Sequence, residues 1–367
     1  MRVLVTGANG FIGKNLLVHL REQGVEFVAF TRDMKPDDLT AAINSVDFVF
    51  HLAGINRPKD VSEFAEGNTG LTEQLCDVIG KSGRKIPVLY TSSIQAEVDN
   101  PYGVSKLNAE QALIALEKDT GSPIYLYRLP NVFGKWSRPN YNSAVATFCH
   151  NIANDLPVQI NDPAAQVRLV YVDDVIQDFL RLLETQPAGI LRPEVLPVYT
   201  ITVGELAVQI RLFKASRESM VTEAVGDGLT RALYSTYLSF LRPEQFSYEL
   251  ISHADQRGRF VEMLKTRDSG QFSFFTAHPG ITRGGHYHHT KNEKFLVVQG
   301  RARFGFRHVV TGDVYELFTD GEKPEVVETV PGWSHDITNI GDNEMIVMLW
   351  ANEIFDRQYP DTITHKV

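Results

Sequence analysis

Apolar residues follow two different patterns along the chain. Over residues 1 to about 130, solid apolar runs (RVLVTG, EFVAFTR, VDFVFHLAG, IPVLYTSS and IYLYRLPNVFG) alternate with longer segments of helical periodicity (FIGKNLLVHLREQG, FAEGNTGLTEQLCDVIGKSG and NPYGVSKLNAEQALIALEKDTG). A strand that is apolar on both faces belongs in a sheet covered on both faces, and helices between such strands supply the covers. The pattern predicts an α/β domain with a Rossmann-type, doubly wound parallel sheet. The third helix carries its own punctuation: Asn100 suits the N-cap, Pro101 the first helical position, and Gly121 the place just past the end.

Residues 131 to about 245 mix loops, a strand running into an acidic segment (RLVYVDDV) and further helices, as expected of a substrate-binding elaboration of the same domain. From about residue 250 helical periodicity almost disappears. Short strands (GQFSFFTAHPG, EKFLVVQGRARFGFRHVV, VYELF, PEVVETVPG and MIVMLWANEIF) are separated by Gly, Pro and Asp–Gly turns, the pattern of an all-β sandwich or barrel. The boundary falls near LRPEQFSYEL. The expected domains are therefore residues 1–245, with substrate binding in about 131–245, and residues 246–367.

Composition removes several function classes. The chain has 367 residues, 43% hydrophobic and 22% charged, which is ordinary for a globular protein. A net charge of −9 and a pI near 5.7 argue against non-specific binding to nucleic acid or to an anionic membrane, so neither is an expected partner. No apolar run approaches the ~20 residues that span a bilayer. Cys76 and Cys149 lack a CxxC neighbour, which removes a disulfide framework and a zinc ribbon and suggests reduced thiols. Met1 and Arg2 lead straight into the first strand without a leader pattern, and a cytoplasmic location is expected.

The first strand runs into VLVTGANGFIG, which sets Gly7, Gly10 and Gly13 between a strand and a helix. Glycines are needed where the turn is tight and where backbone approaches a pyrophosphate, and the helix N-terminus then offers free N–H groups. Thr31 stands where an NAD site would place an acid on the ribose 2′-hydroxyl, and Arg32 follows it. A guanidinium there suits a 2′-phosphate, so NADPH is the expected cofactor. Tyr102 and Lys106, four apart on the third helix, share a face. An ammonium beside a phenol lowers the phenol's pKa and makes it a usable proton donor or acceptor. Ser93, at the end of the preceding strand, can hydrogen-bond the same carbonyl oxygen.

TGANGFIG, HLAG, Asn68 in EGNTG, YTSS, PYGVSK, RLPNVFG and YVDDV together resemble the extended short-chain dehydrogenase/reductase family that acts on nucleotide sugars, over about residues 1–245. The resemblance implies that Tyr102 is the catalytic acid, that Ser93 polarises the carbonyl, and that Lys106 also binds the nicotinamide ribose. It implies a cofactor site built from Gly7, Asn9, Gly10, Phe11, Ile12, Gly13, Arg32, Leu52, Ala53 and Gly54. Asn131 and Arg168 match positions that contact the sugar-nucleotide diphosphate. Eight residues separate Ser93 from Tyr102, fewer than in most relatives, and a more open rim is expected.

The β region carries a second constellation. GGHYHHTKNEKF contains His286-x-His288-x4-Glu293, with Gly300 beyond, and VPGWSHDITN contains Pro331-Gly332-x2-His335-x3-Asn339. Residues i and i+2 of a strand face the same side, so His286 and His288 can meet a glutamate from the next strand and a distant histidine. Three imidazoles and a carboxylate suit Zn, Fe, Mn or Ni, with zinc the first choice. The two motifs resemble those of the cupin superfamily over about residues 250–367, with Pro-Gly where many cupins have Pro-x-Gly. His289 is expected to point outward into solvent. DQRGRFVEML, RGGHYHH and VPGWSHD are also similar to the deoxysugar 3,5-epimerases. That resemblance implies His286 as the base and Lys294 near the place of an enolate-stabilising lysine. One imidazole lone pair cannot both bind a metal and take a proton. The metal role is preferred for His286, which leaves the base unassigned.

In domain order and length the whole chain resembles the bifunctional capsular-polysaccharide and O-antigen synthesis enzymes, in which a short-chain dehydrogenase/reductase domain is fused to a cupin barrel. The resemblance implies C3 epimerisation of a UDP-4-keto-6-deoxy-N-acetylhexosamine followed by NADPH-dependent C4 reduction. The product would be UDP-2-acetamido-2,6-dideoxy-L-talose, a precursor of UDP-N-acetyl-L-fucosamine. It also implies a homo-oligomer, dimer or tetramer. The alternative is a reductase alone, with a structural metal in the cupin.

Overall fold

A computed structural model describes the chain apart from residues 247, 289, 290, 310, 331 and 332. Its contacts divide it into two units, residues 1–210 with 232–241, and residues 211–231 with 242–367.

The first unit is built on a six-stranded sheet in the order Glu26–Phe30, Arg2–Thr6, Phe48–His51, Val88–Ser93, Ile124–Leu129 and Ile190–Leu191, parallel throughout. Alternate residues of its strands feed two separate cores. Val3, Val5, Phe48, Phe50, Tyr125 and Tyr127 go to one face, where they meet helices Phe11–Glu22 and Val172–Thr185. Leu4, Val49, Val88, Tyr90, Ile124 and Leu126 go to the other, against Leu71–Ser82 and Pro101–Thr120. This is why the strands read as solid apolar runs rather than as alternating ones.

The third predicted helix begins and ends where its punctuation places it. Asn100 accepts from the Gly103 N–H at 2.8 Å, Pro101 opens the helix, and Gly121 closes it with a φ of 71°. A helix at Pro36–Ser45 was not expected. Its spacing is nonetheless helical, since Leu39, Ala42, Ile43 and Val46 are buried together at i, i+3, i+4 and i+7. IYLYRLPNVFG, expected as one strand, divides at Pro130. Asn131–Phe133 instead pairs with Gln166–Tyr171 in a separate three-stranded sheet. A proline has no N–H for the ladder, so the chain changes sheets there.

Apart from its first segment and a short helical turn at Pro243–Gln245, the described part of the second unit is all-β. One sheet holds Gly258–Thr266, Gly270–Ala277, Met345–Ala351, Glu293–Gln299 and Val326–Glu328, and the other holds Val314–Asp320, Arg301–His308, Trp333–Asn339, Thr282–Tyr287 and Ile363–Thr364. Phe275, Phe295, Val297 and Val347 from the first meet Phe304, Phe306 and Ile337 from the second in one core. The sequence placed the boundary near residue 245. In the structure residues 211–231 cluster with this unit, because Val221–Thr222 pairs in parallel with Lys265–Thr266. Among the described residues no helix is long and apolar enough to cross a membrane.

Candidate active site and metal-ligand cluster

The turn after the first strand is possible only with glycine. Gly7 has a φ of 67°, and a Cβ there would lie 2.7 Å from the Ala53 nitrogen. A Cβ on Gly13 would lie 2.3 Å from the Gly7 carbonyl oxygen. The following helix starts at Phe11 with Gly10 as N-cap and no side chain capping it, so its first N–H groups face the space above the sheet. That space is a cleft of about 790 Å³. It is lined by Gly7, Asn9, Gly10, Phe11, Ile12, Gly13, Arg32, Leu52 and Gly54 on one part, and by Ser93, Tyr102, Lys106 and Asn131 on another. Ala53 does not line it but closes the back of Gly7. Arg168 is exposed and is not among the lining residues; its carbonyl accepts from Asn131 Nδ2 at 3.2 Å.

Several buried groups that were not assigned roles from sequence hold the Tyr–Lys helix. Asn68, within a π-helical turn at Ala65–Gly70, accepts from the Ile55 N–H at 2.8 Å and donates to the Ile55 carbonyl at 3.0 Å and Ser105 Oγ at 2.9 Å. It thereby ties the loop after the third strand to the helix one residue before Lys106. Glu110, one turn beyond Lys106 and fully buried, pairs with Arg128 through Nε at 2.9 Å and Nη2 at 2.7 Å, and accepts from Ser92 Oγ. His51 bridges Thr6 and Thr72 at 2.7 and 2.9 Å and stacks on Tyr90, whose ring carries Lys106 Nζ 4.8 Å from its centroid. Burial, and then the Lys106 ammonium, push the His51 imidazole down to about 3, so it sits there neutral.

The titrations differ from the sequence expectation in one respect. Burial pushes the Tyr102 phenol above its ordinary value, with the Ser93 hydroxyl pulling the other way. No lowering by Lys106 is seen, because Lys106 Nζ is turned to donate to the Thr91 carbonyl at 2.9 Å. A raised phenol stays protonated at neutral pH, the form a proton donor needs. Lys106 itself is pushed down to about 8 by burial, against the pull of Glu110.

The second constellation assembles in the β unit. Consecutive glycines, Gly284 at a φ of 100° and Gly285 at 77°, make a bulge in Thr282–Tyr287 where it crosses His335. A Cβ on Gly284 would lie 2.8 Å from the His335 carbonyl oxygen. The bulge leads into His286 and His288, whose ring centroids are 5.0 Å apart, with His335 4.7 and 5.2 Å from them. With Glu293, the ligand atoms of all four lie within 4.8 Å of one another. Glu293 Oε2 is 3.2 Å from His288 Nε2 and 3.3 Å from His335 Nε2, and among the described residues His335 Nδ1 is buried without a hydrogen-bond partner. His288 Nδ1 is held by the Asp361 carbonyl, which leaves the Nε2 lone pair facing the carboxylate. Lone pairs and a carboxylate converging in this way fit a cation between them. Burial alone would raise the Glu293 carboxyl; a proton carried on His288 Nε2 or His335 Nε2 would be donated to it and, with the Lys291 ammonium, hold it well below the usual range. Burial, and then His335, hold the His286 imidazole down to about 4.

Lys294 lies outside this cluster. It follows Glu293 on the same strand, so it faces the other side and pairs with Glu328 at 2.5 Å. The lysine at the cluster is Lys291, buried, with Nζ 3.1 Å from Glu293 Oε1; only its place inside the histidine motif could have signalled it. His286, Glu293 and His335 also line a cavity of about 160 Å³ walled by Phe260, Phe275, Phe295, Phe304 and Phe306. His289 and the Pro331-Gly332 turn lie outside the described residues.

The chain is similar to known proteins along its whole length. It is 62% identical over 363 residues to UDP-2-acetamido-2,6-beta-L-arabino-hexul-4-ose reductase of Pseudomonas aeruginosa, covering 99% of this chain and 98% of that one. It matches the crystal structure of the capsular polysaccharide assembling protein CapF from Staphylococcus aureus with a TM-score of 0.91 and 42% identity, covering both chains completely. The whole-chain resemblance read from the sequence is thus borne out. A UDP-glucuronic acid 4-epimerase of Bacillus cereus, in complex with NAD, is similar in fold at 20% identity and a TM-score of 0.56, covering 65% of this chain and 98% of that one. Residues 253–363 match the polysaccharide biosynthesis C-terminal domain, and residues 3–195 match the NAD dependent epimerase/dehydratase family. The chain belongs to the NAD dependent epimerase/dehydratase family.

Proposed function

We propose that this chain is an NADPH-dependent reductase of a UDP-linked 4-keto sugar in polysaccharide biosynthesis, and that its β unit, of the cupin type, first epimerises the same sugar at C3. The observation that carries the reductase half is the meeting of Ser93, Tyr102 and Lys106 in one cleft with the glycine turn and Arg32. Gly7, Asn9, Gly10, Phe11, Ile12, Gly13, Leu52 and Gly54 would hold the cofactor, Ala53 would support the turn, and Arg32 would meet a 2′-phosphate. When bound, NADPH supplies the hydride. Ser93 hydrogen-bonds the C4 carbonyl oxygen, and Tyr102 gives that oxygen its proton as the carbonyl becomes an alcohol. Lys106 holds the ribose and keeps a positive charge near the developing oxyanion.

For the β unit, His286, His288, Glu293 and His335 would hold a divalent metal, with zinc the first choice from the donor set. Such an ion would polarise the ketone as a Lewis acid. Three of these residues line an apolar cavity rather than a sealed core, and this favours a site that meets substrate over a purely structural metal. A 4-ketone acidifies the protons at C3 and C5, and that acidity is lost once C4 is an alcohol, so epimerisation precedes reduction. The product of both steps is UDP-2-acetamido-2,6-dideoxy-L-talose.

The test uses UDP-2-acetamido-2,6-dideoxy-β-L-arabino-hexos-4-ulose in D2O. Without NADPH, deuterium should enter at C3; with NADPH, cofactor should be consumed. Consumption without exchange removes the epimerase half and leaves a reductase with a structural metal. Tyr102→Phe should lower kcat by about 10²–10⁴-fold with NADPH binding retained.

A further inference from the structure

Among the described residues the cleft is lined by no Asp or Glu, although the chain carries a net charge of −9. Apart from Lys106, its lining cations come from two separate regions of the chain. Lys14 and Arg32 belong to the glycine-turn side, whereas Arg138 belongs to the segment after Phe133. Arg138 and Arg57 both lie over the ring of Tyr141, at 5.0 and 5.9 Å from its centroid. Neither guanidinium has a carboxylate partner among the described residues. Bringing two unneutralised guanidiniums to one ring is repulsive unless an anion joins them, and the ring face recovers only part of that repulsion. The segment is also backbone-strained beside this cluster: Trp136 has a φ of 67° and Asn140 of 53°, and Trp136, itself a lining residue, is half exposed. Strain of this kind persists where the surroundings fix a functional loop.

We infer that Arg138, with Arg57 at the same Tyr141 ring, is an anion clamp that takes the diphosphate of the nucleotide sugar. The inference rests on the reductase reading above and assigns the diphosphate contact differently from the sequence. Arg168, expected there, is outside the cleft lining, whereas Arg138 is inside it. A guanidinium offers a planar fork that matches a phosphate bidentately, which a lysine cannot reproduce. Arg138 is a specificity-determining residue in this reading, and Tyr141 positions it.

The test is calorimetric titration of the full chain, saturated with NADP⁺, with inorganic pyrophosphate, UDP, dTDP and uridine. Arg138→Ala and Arg138→Lys are compared with wild type; Arg138 is exposed, so neither should unfold the chain, and thermal melts check this. The expected result is a loss of roughly tenfold or more in pyrophosphate and UDP affinity for Arg138→Ala, with uridine and NADP⁺ affinity unchanged. In turnover, KM for the keto sugar rises while kcat holds. Equal UDP affinity in wild type and Arg138→Ala overturns the clamp, as does a wild type that binds no pyrophosphate. A wild type that binds pyrophosphate through Arg138 but binds neither UDP nor dTDP keeps the clamp and overturns the nucleotide-sugar reading instead.

Discussion

Gly103 offers a test in which a single methyl group should perturb folding and catalysis together. It follows Tyr102 in the first turn of the helix, and its own N–H is held by Asn100 Oδ1 at 2.8 Å. A Cβ at this position would lie 2.2 Å from the Gln95 carbonyl oxygen and 2.3 Å from that of Val98. Carbon and carbonyl oxygen approach no closer than about 3.3 Å, so something must move by about 1 Å. Neither obstacle is a flexible side chain. Both are backbone atoms of the short link from Ser93, and Val98 N donates to Gln95 O at 2.9 Å. Gly103→Ala should therefore cost about 1–3 kcal/mol as overpacking. It should also displace Tyr102 relative to Ser93, and a misplacement near 1 Å lowers kcat by roughly 10²-fold. Gly80→Ala is the control. Gly80 lies in helix Leu71–Ser82 with nothing within 4 Å of its added Cβ. That substitution should stabilise the chain by about 0.5–1 kcal/mol and leave kcat alone. Urea denaturation and NADPH oxidation on both variants decide the matter. A Gly103→Ala variant with wild-type midpoint and kcat would refute the reasoning.

The charged form of Lys106 is lost as pH rises through about 8, so kcat/KM for reduction should fall above that pH, and Lys106→Met should remove this limb with most of the activity. The unfolded lysine keeps its proton to about 10.5, so between the two values the unfolded chain binds more protons and this group's contribution to stability rises with pH. Arg128→Met leaves the Glu110 carboxylate buried without its partner and should cost about 3–5 kcal/mol, read from the denaturation midpoint; a cost below about 1 kcal/mol would mean the pair is not needed. Exhaustive chelation should lower the melting temperature of the full chain and added zinc restore it, with Glu293→Gln insensitive to both; equal melts with and without chelator would speak against a metal at this cluster.

Pattern and punctuation were enough to read the layered α/β unit, the change to β structure near residue 250, the Asn100–Gly121 helix and the facing of His286 with His288. These follow from local rules: period, capping and the pleat act over a few residues and leave direct marks in the chain. The helix at Pro36–Ser45 had its marks too, in the spacing of Leu39, Ala42, Ile43 and Val46. Other features were not legible. Tyr102 titrates upward because of what buries it, and Lys106 turns to the Thr91 carbonyl rather than to the phenol. Nothing in the spacing says that Asn68 reaches Ser105, that His51 stacks on the Tyr90 ring beside Lys106, or that Glu110 meets Arg128.

The order of elements, the residue types at the glycine turn and the positions of His286, His288, Glu293 and His335 are properties of the chain read in one dimension. Which lysine meets Glu293, which arginine enters the cleft, and where residues 211–231 belong depend on contacts between segments far apart in the chain. Lys294 adjoins Glu293 and faces away, while Lys291 reaches it; Arg168 was matched to a family position, while Arg138 lines the wall. Local rules state which face a side chain takes on its own element. They do not state what stands across from that face, because the partner is set by how distant segments pack.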